Sequence, residues 1–238
     1  MSGRLRAVLA FALLVAARAE SAGAAPVAGQ APEDRVLPVE EHRTDKARQL
    51  AQSYANELRQ LNNEIYFCMP WLEVPKYGIA FYKPRHVVED ARYLSLRVYI
   101  EQDPSPVFAA LPVPERVAAM FSRYVRPLLR RMVRTAGMLN DPDLAGFNPN
   151  LEWLKQIPRA AGERPVHEGI QVFIDRLLAR DFLAGALPIS ELAGRSHVRR
   201  WDGEVLLGPM ALASAWEDDF VSTFAVKDYQ PTAGVACR

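Results

Sequence analysis

One stretch of the sequence, Tyr93 to Glu101, alternates apolar and polar side chains and constrains the fold more than any other feature. The apolar positions are Leu94, Leu96, Val98 and Ile100. A strand with this alternation buries one face of its sheet and leaves the other face polar. The buried face needs an apolar cover, and helical patterns occur on both sides of this strand in the sequence. We therefore predict an α+β fold, a mostly antiparallel sheet with helices packed on one face.

Two segments carry the spacing of amphipathic helices. From Thr44 to about Asn63, apolar residues recur at steps of three and four, and Thr44 or Asp45 is suited to cap the helix start. A longer helix is predicted from Pro114 to about Met138, with Pro127 expected to kink or split it. The sequence thus predicts an N-terminal helix and one long amphipathic helix.

Shorter signals fill the rest of the chain without an internal linker. We predict strands at Gly78–Tyr82 and Ile170–Ile174, a helical run at Leu177–Ala186, a short helix after Pro188, and a hairpin at Ser196–Leu207 with Asp202-Gly203 as its turn. The stretch Asn140–Asn150 has the composition of a turn-rich loop. A single domain over residues 44–238 follows.

The N-terminus has the form of an export signal. Arg4 and Arg6 precede an apolar run, Ala7 to Ala17, and Ala22-Gly23-Ala24 has the small side chains that a signal peptidase accepts; Ala17-Arg18-Ala19 offers an earlier site. We predict a signal peptide at residues 1–24, a disordered leader at 25–43, and an exported protein that is periplasmic or extracellular. Eleven apolar residues are too few to cross a bilayer, which takes about 20, and no transmembrane segment is expected after signal removal.

The net charge of the chain bears on whether it binds nucleic acid. The 238 residues carry a net charge of +1. Loss of residues 1–24 removes three arginines and one glutamate and leaves a net charge of −1. A nearly neutral chain has no general attraction for polyanions, so we expect no nucleic-acid partner.

The chain has two cysteines, Cys68 and Cys237. In an oxidising compartment they can form only one internal disulfide, which joins the beginning of the folded region to its end. The alternative is a buried free thiol at Cys68 and a frayed or intermolecular Cys237.

The long helix concentrates arginine on one side. Arg116, Arg123, Arg126, Arg130 and Arg134 fall within an arc of about 80° at 100° per residue. Guanidinium groups in a row suit phosphate or carboxylate oxygens. We name Arg123, Arg126, Arg130 and Arg134 as candidate contacts for an anionic lipid, polysaccharide or acidic protein. The alternative is a solvated helix face whose arginines pair with acidic residues of the same chain.

Motifs of metal binding and catalysis are missing from the sequence. Asp141, Asp143, Gly146 and Glu152 match four positions of a calcium loop, but Ala145 occupies a ligand position, and an Asx/Pro turn explains the segment better. The four histidines are isolated, and no nucleophile or phosphate-loop motif occurs. We predict no metal and no cofactor, and no catalytic residue is identified.

Together these features favour an exported, non-catalytic binding or accessory protein of the cell envelope or extracellular space. One alternative is a secreted hydrolase, directed at polysaccharide, with carboxylate acid/base chemistry. It requires a cleft with two carboxyl groups beside an exposed tryptophan. Another alternative, a structural subunit of an envelope assembly, requires a large apolar surface patch.

Overall fold

The computed structural model describes residues 32–85, 87–100, 105–156, 162–200, 206–208, 210–212 and 216–237. The predicted signal peptide and the predicted Asp202-Gly203 turn lie outside these residues.

The described residues form an α+β fold, as predicted. The helices are a 3₁₀ turn at Val39–Glu41 and α1 Asp45–Ser53, α2 Ala55–Cys68, α3 Pro106–Ala110, α4 Val113–Met132, α5 Ala136–Asn140, α6 Arg176–Leu183, α7 Ile189–Arg195 and α8 Phe220–Phe224. The strands are β1 Leu72–Glu73, β2 Ile79–Tyr82, β3 Arg92–Ile100, β4 Leu144–Gln156, β5 Val166–Asp175, β6 His197–Arg200 and β7 Leu206–Gly208.

The strands build one mixed sheet in the order β1-β3-β4-β5-β6-β7, and β2 also pairs with β3. Its pairings are antiparallel except for β3 with β4, which is parallel. A parallel pair cannot be joined by a tight turn and needs a crossover connection. The helices α3 to α5 form that connection, so the arginine-rich helix α4 is part of the crossover.

The two faces of the sheet differ as the alternation in β3 predicts. Leu94, Leu96, Val98 and Ile100 are fully buried in one hydrophobic cluster with Phe147 and Leu151 of β4 and the apolar side of α4. The intervening side chains of β3, Ser95, Arg97 and Tyr99, are only partly buried and lie on the other face. The helices therefore cover the apolar face of the sheet.

The N-terminal helix is longer than predicted and divided at Tyr54. Thr44 caps its start, because its hydroxyl oxygen accepts a hydrogen bond from the Ala47 N–H at 3.3 Å. Tyr54 leaves the helical conformation, and its hydroxyl donates to Asp141 at 2.9 Å. This distant contact has no signature in the local sequence.

The prediction of a disordered leader is wrong for residues 32–43. Val36 forms a parallel bridge with Ile79, and His42 is buried, with its imidazole accepting from the Phe81 N–H at 3.3 Å. The sequence contains few apolar residues here, but they pack against the domain edge.

The prediction of a loop over residues 140–150 is wrong from Leu144 onward. These residues begin β4, the strand between β3 and β5. Asn148, Pro149 and Asn150 all disfavour strand, and tertiary pairing overrides that preference. Gly146 is needed because a Cβ there would collide with the Ile174 carbonyl of β5.

Several other predicted elements are confirmed. The hairpin at 196–207 appears as the antiparallel pair β6–β7, and Ile170, Val172 and Ile174 lie on the buried face of β5. The predicted helical run becomes α6, and the short helix after Pro188 becomes α7.

The two cysteines form a disulfide, with Cα atoms 5.5 Å apart across a sequence separation of 169. Two further contacts hold the C-terminal segment beside α2 and β1. The Thr232 N–H donates to the Phe67 carbonyl at 2.9 Å, and the Tyr229 ring stacks on Trp71 at 6.0 Å. The bridge thus closes a loop around almost the whole domain.

The helix α4 runs through Pro127 as one element, so the predicted splitting does not occur. Proline still removes one backbone hydrogen bond, and its ring crowds the preceding turn. We expect Pro127→Ala to raise the free energy of unfolding by about 1–3 kcal/mol. Proline also restricts the unfolded chain, and loss of that restriction offsets part of the gain. Urea denaturation of the two proteins measures this, and a lower stability of the alanine variant would contradict it.

Candidate functional site

The helix α4 positions the predicted arginines because its apolar side is fixed in the core. Val117, Phe121, Val125 and Leu128 are buried there, which turns the opposite side of the helix outward. The five arginines of the predicted arc nevertheless have different environments.

Arg116 does not belong to the surface. It is buried, and its Nε and Nη2 donate to the two carboxylate oxygens of Glu168 on β5 at 2.8 and 2.5 Å. Burial by itself would raise the pKa of Glu168, but the hydrogen bonds and charge of Arg116 outweigh it and lower that pKa. Arg116 therefore ties the crossover helix to the sheet.

Arg123 and Arg126 both contact Glu217, near the C-terminal helix α8. The Arg123 guanidinium donates to the Glu217 carbonyl at 2.7 Å, and Arg126 forms an ion pair with the Glu217 carboxylate at 3.2 Å. Burial raises the pKa of Glu217, and the charge of Arg126 opposes this effect. The charge of Arg126 is thus partly neutralised, whereas Arg123 is held by a backbone carbonyl that carries no net charge.

Arg134 is also paired. It forms an ion pair with Glu64 of α2 at 2.5 Å, and a second nitrogen donates to Gln60 at 3.2 Å. The alternative of an arginine face paired within the chain thus describes Arg116, Arg126 and Arg134. Arg130 is exposed, and it differs from these three because no carboxylate among the described residues lies within ion-pair distance of it.

Arg126 and Arg130 line a groove between α4 and the α6–α7 connection, with a volume of about 480 Å³. Its remaining lining is largely apolar: Phe182, Leu183, Gly185, Ala186, Leu187 and Pro188. The Arg126 guanidinium lies over the Phe182 ring, 5.4 Å from its centroid, which fixes its position. Two cations beside an apolar wall can hold an anionic group that is attached to an apolar body.

Sequence reasoning did not find the groove wall or the pairing of Arg126 with Glu217. The wall comes from a turn about 55 residues after the arginines, and nothing in its composition marks it. Glu217 belongs to the densest run of acidic residues in the chain, and this run is the one signal that could have indicated a partner for the arginines.

A second, smaller cavity of about 60 Å³ tests the hydrolase alternative. Glu152, Glu168 and Trp153 all line it. However, Trp153 is buried rather than exposed, and Glu168 already holds Arg116 and Lys155, the latter at 3.4 Å. The lowered pKa of Glu168 keeps its carboxylate ionised, which does not suit a general acid. The cavity therefore meets the requirement for two carboxyl groups but lacks the exposed tryptophan.

Comparisons with protein-family models, with curated proteins and with solved structures found no match for this chain. Among the described residues, no helix is both long enough and apolar enough to cross a membrane. The class of protein is therefore defined by its fold and its groove: an α+β protein with a disulfide and an arginine-lined groove on its crossover helix.

Proposed function

We propose that this chain is an exported, non-catalytic binding protein that holds the anionic group of an amphiphile, such as the headgroup of an anionic lipid, in the groove lined by Arg126 and Arg130. The groove itself carries the proposal. It places two guanidinium groups beside an apolar wall, and an anionic amphiphile offers both complementary parts.

The predicted location is supported by the cysteines. A disulfide between Cys68 and Cys237 persists in an oxidising compartment and is rare in the cytosol. Together with the signal-like residues 1–24, it supports action in the periplasm or outside the cell.

The groove leaves its two arginines open to an external anion. Arg126 has Glu217 as a partner, but this ion pair is partly exposed, and water and salt weaken such pairs. Arg130 is exposed at the groove edge. A phosphate or carboxylate entering the groove gains the charge of both arginines.

Co-sedimentation with vesicles tests the proposal. We expect the protein to bind phosphatidylglycerol-containing vesicles at low salt, more weakly at physiological salt, and not to bind pure phosphatidylcholine vesicles. Arg130→Glu reverses one charge in the groove and should weaken binding at least about tenfold, since each basic residue near an anionic surface contributes about 1 kcal/mol.

Arg43→Glu is the matched control, because Arg43 is exposed, lies outside the groove and undergoes the same charge change. It should leave vesicle binding within about twofold of the unmodified protein, within ordinary surface-mutation effects. Equal binding to both kinds of vesicle, or equal loss with Arg43→Glu and Arg130→Glu, would reject the groove as the binding site.

A further inference from the structure

The face of the sheet opposite the apolar, helix-covered face has an unusual row of polar side chains. Arg97 of β3 pairs with Asn150 of β4, Asn150 with Gln171 of β5, and Gln171 with Arg199 of β6. All four lie on the face opposite Leu96, Leu151 and Val172. With strands about 4.8 Å apart, the row extends about 14 Å across the sheet. We call it the amide row.

The strand β4, which contributes Asn150 to the amide row, contains residue types that are uncommon in a central strand. Asn150 follows Asn148 and Pro149 in a central strand, where asparagine and proline are both disfavoured. The hydrogen bonds explain part of the choice: Asn148 accepts from the Tyr82 hydroxyl at 2.5 Å, and Asn150 donates to the Ser95 hydroxyl at 2.7 Å. A local rule that is broken in the middle of a stable element is typical of a functional position.

Two buried polar atoms of the amide row lack partners within the described part of the chain. Asn150 is 5 % exposed, and its Oδ1 accepts no hydrogen bond; the Arg199 Nε–H, also buried, donates none. Leaving such groups unsatisfied costs about 1–3 kcal/mol each. The row therefore contains an unused acceptor and an unused donor, both buried, beside the half-buried amide of Gln171.

The free acceptor on Asn150 and the free donor on Arg199 together indicate which chemical group a ligand must carry. A bare anion cannot donate to Asn150 Oδ1, and an ammonium group cannot accept from Arg199. A hydroxyl does both, and the Gln171 amide can donate to or accept from a neighbouring hydroxyl. The charge of Arg97 is compensated by Glu152 at 2.7 Å, which leaves Arg199 as the cation of the row that a uronic acid would contact.

Two aromatic rings lie beside the row, further along β3 and β5. Tyr99 lies two residues after Arg97 on the same face, and its ring is 5.2 Å from the His167 ring. Such rings present an apolar face beside polar groups, which matches the mixed faces of a sugar ring. From this geometry we infer that the amide row is a saccharide-binding surface, separate from the arginine groove. A single oligosaccharide chain would lie across it from β3 to β6.

Titration calorimetry of the oxidised protein with chitohexaose and with hexagalacturonate tests this inference. We expect at least one of them to bind with a Kd below about 1 mM, which corresponds to about 4 kcal/mol. Binding of chitohexaose assigns the surface to neutral glycans, and binding of hexagalacturonate alone assigns it to uronic-acid chains that also use Arg199.

Gln171→Ala and Arg199→Ala should each raise the Kd about tenfold, because each removes hydrogen bonds to the ligand. Arg130→Glu should leave saccharide binding unchanged, and Gln171→Ala should leave vesicle binding unchanged, so that failure of one site is distinguished from failure of the other. Gln171 is only half-buried and decides the outcome if Arg199→Ala fails to fold. No heat with either sugar at about 5 mM, or a Kd that neither variant changes, overturns the inference.

Discussion

Removing the disulfide should lower the stability of this protein more than any other single covalent change. Cys68 and Cys237 are separated by 169 residues, so the bridge restricts nearly the whole unfolded domain. On the chain-entropy model a loop of this length contributes about 5 kcal/mol, and measured values commonly fall in a range of about 2–5 kcal/mol. We expect Cys68→Ala/Cys237→Ala to lose about 3–5 kcal/mol of unfolding free energy in urea at neutral pH.

Reductant supplies the control for this prediction. Dithiothreitol should lower the stability of the unmodified protein to nearly that of the double variant and should not change the double variant. If both proteins unfold at the same urea concentration without reductant, the bridge contributes nothing to stability, and the prediction is wrong.

Breaking the ion pair between Arg116 and Glu168 is the second change with a large expected effect. Their side chains are 5 % and 10 % exposed, so Glu168→Gln leaves a buried guanidinium with Lys155 nearby and, among the described residues, no carboxylate within ion-pair distance. Such uncompensated burial typically costs about 3–5 kcal/mol. Replacing both partners, as in Arg116→Met/Glu168→Leu, should recover most of this loss, since neither charge then remains to be solvated.

The exposed pair Arg195–Glu191, about half exposed on both sides, is the comparison. Arg195→Ala should cost less than about 0.5 kcal/mol, because an exposed pair is screened by water and salt. Urea unfolding of all four proteins measures the difference. A cost for Glu168→Gln as small as that for Arg195→Ala would show that Arg116 and Glu168 are not a structural pair.

The ion pair between Arg116 and Glu168 also makes the stability of the protein depend on pH in the acid range. The pKa of Glu168 is lower in the folded protein than its ordinary value. The unfolded chain therefore binds the proton more readily, and the stabilisation is fully present above the unfolded pKa of about 4.3. It is lost as the pH falls through the lower folded value. Glu168→Gln should remove this part of the acid sensitivity while leaving that of the other carboxylates.

The two proposed sites differ in the chemical groups that they offer to a ligand. The arginine groove is a product of the crossover helix and the α6–α7 turn, and it offers charge beside apolar surface. The amide row is a product of the sheet alone, and it offers two amides and two guanidinium groups in a line. A protein that holds a saccharide on one surface and an anionic amphiphile on another would link a glycan to a lipid surface.

The sequence by itself determined the elements whose information is local. Alternation in Tyr93–Ile100 specifies a half-buried strand, because side chains alternate between the faces of any sheet. The steps of three and four after Thr44 and after Pro114 specify amphipathic helices in the same way. The α+β class follows from these patterns together, and the structure confirms it.

Only the tertiary structure decided which elements meet and what the polar side chains do. The stretch Asn148–Asn150 is unfavourable for a strand, and it becomes one because β3 and β5 supply hydrogen-bonding partners on both sides. The arginines of α4 look alike in sequence. In the structure, however, Arg116 is buried and paired with Glu168, Arg126 is paired with Glu217, and Arg130 remains exposed. The physical reason is that periodicity depends on neighbours within a few residues, whereas burial and ion pairing depend on groups that folding brings from 52 to 94 residues away.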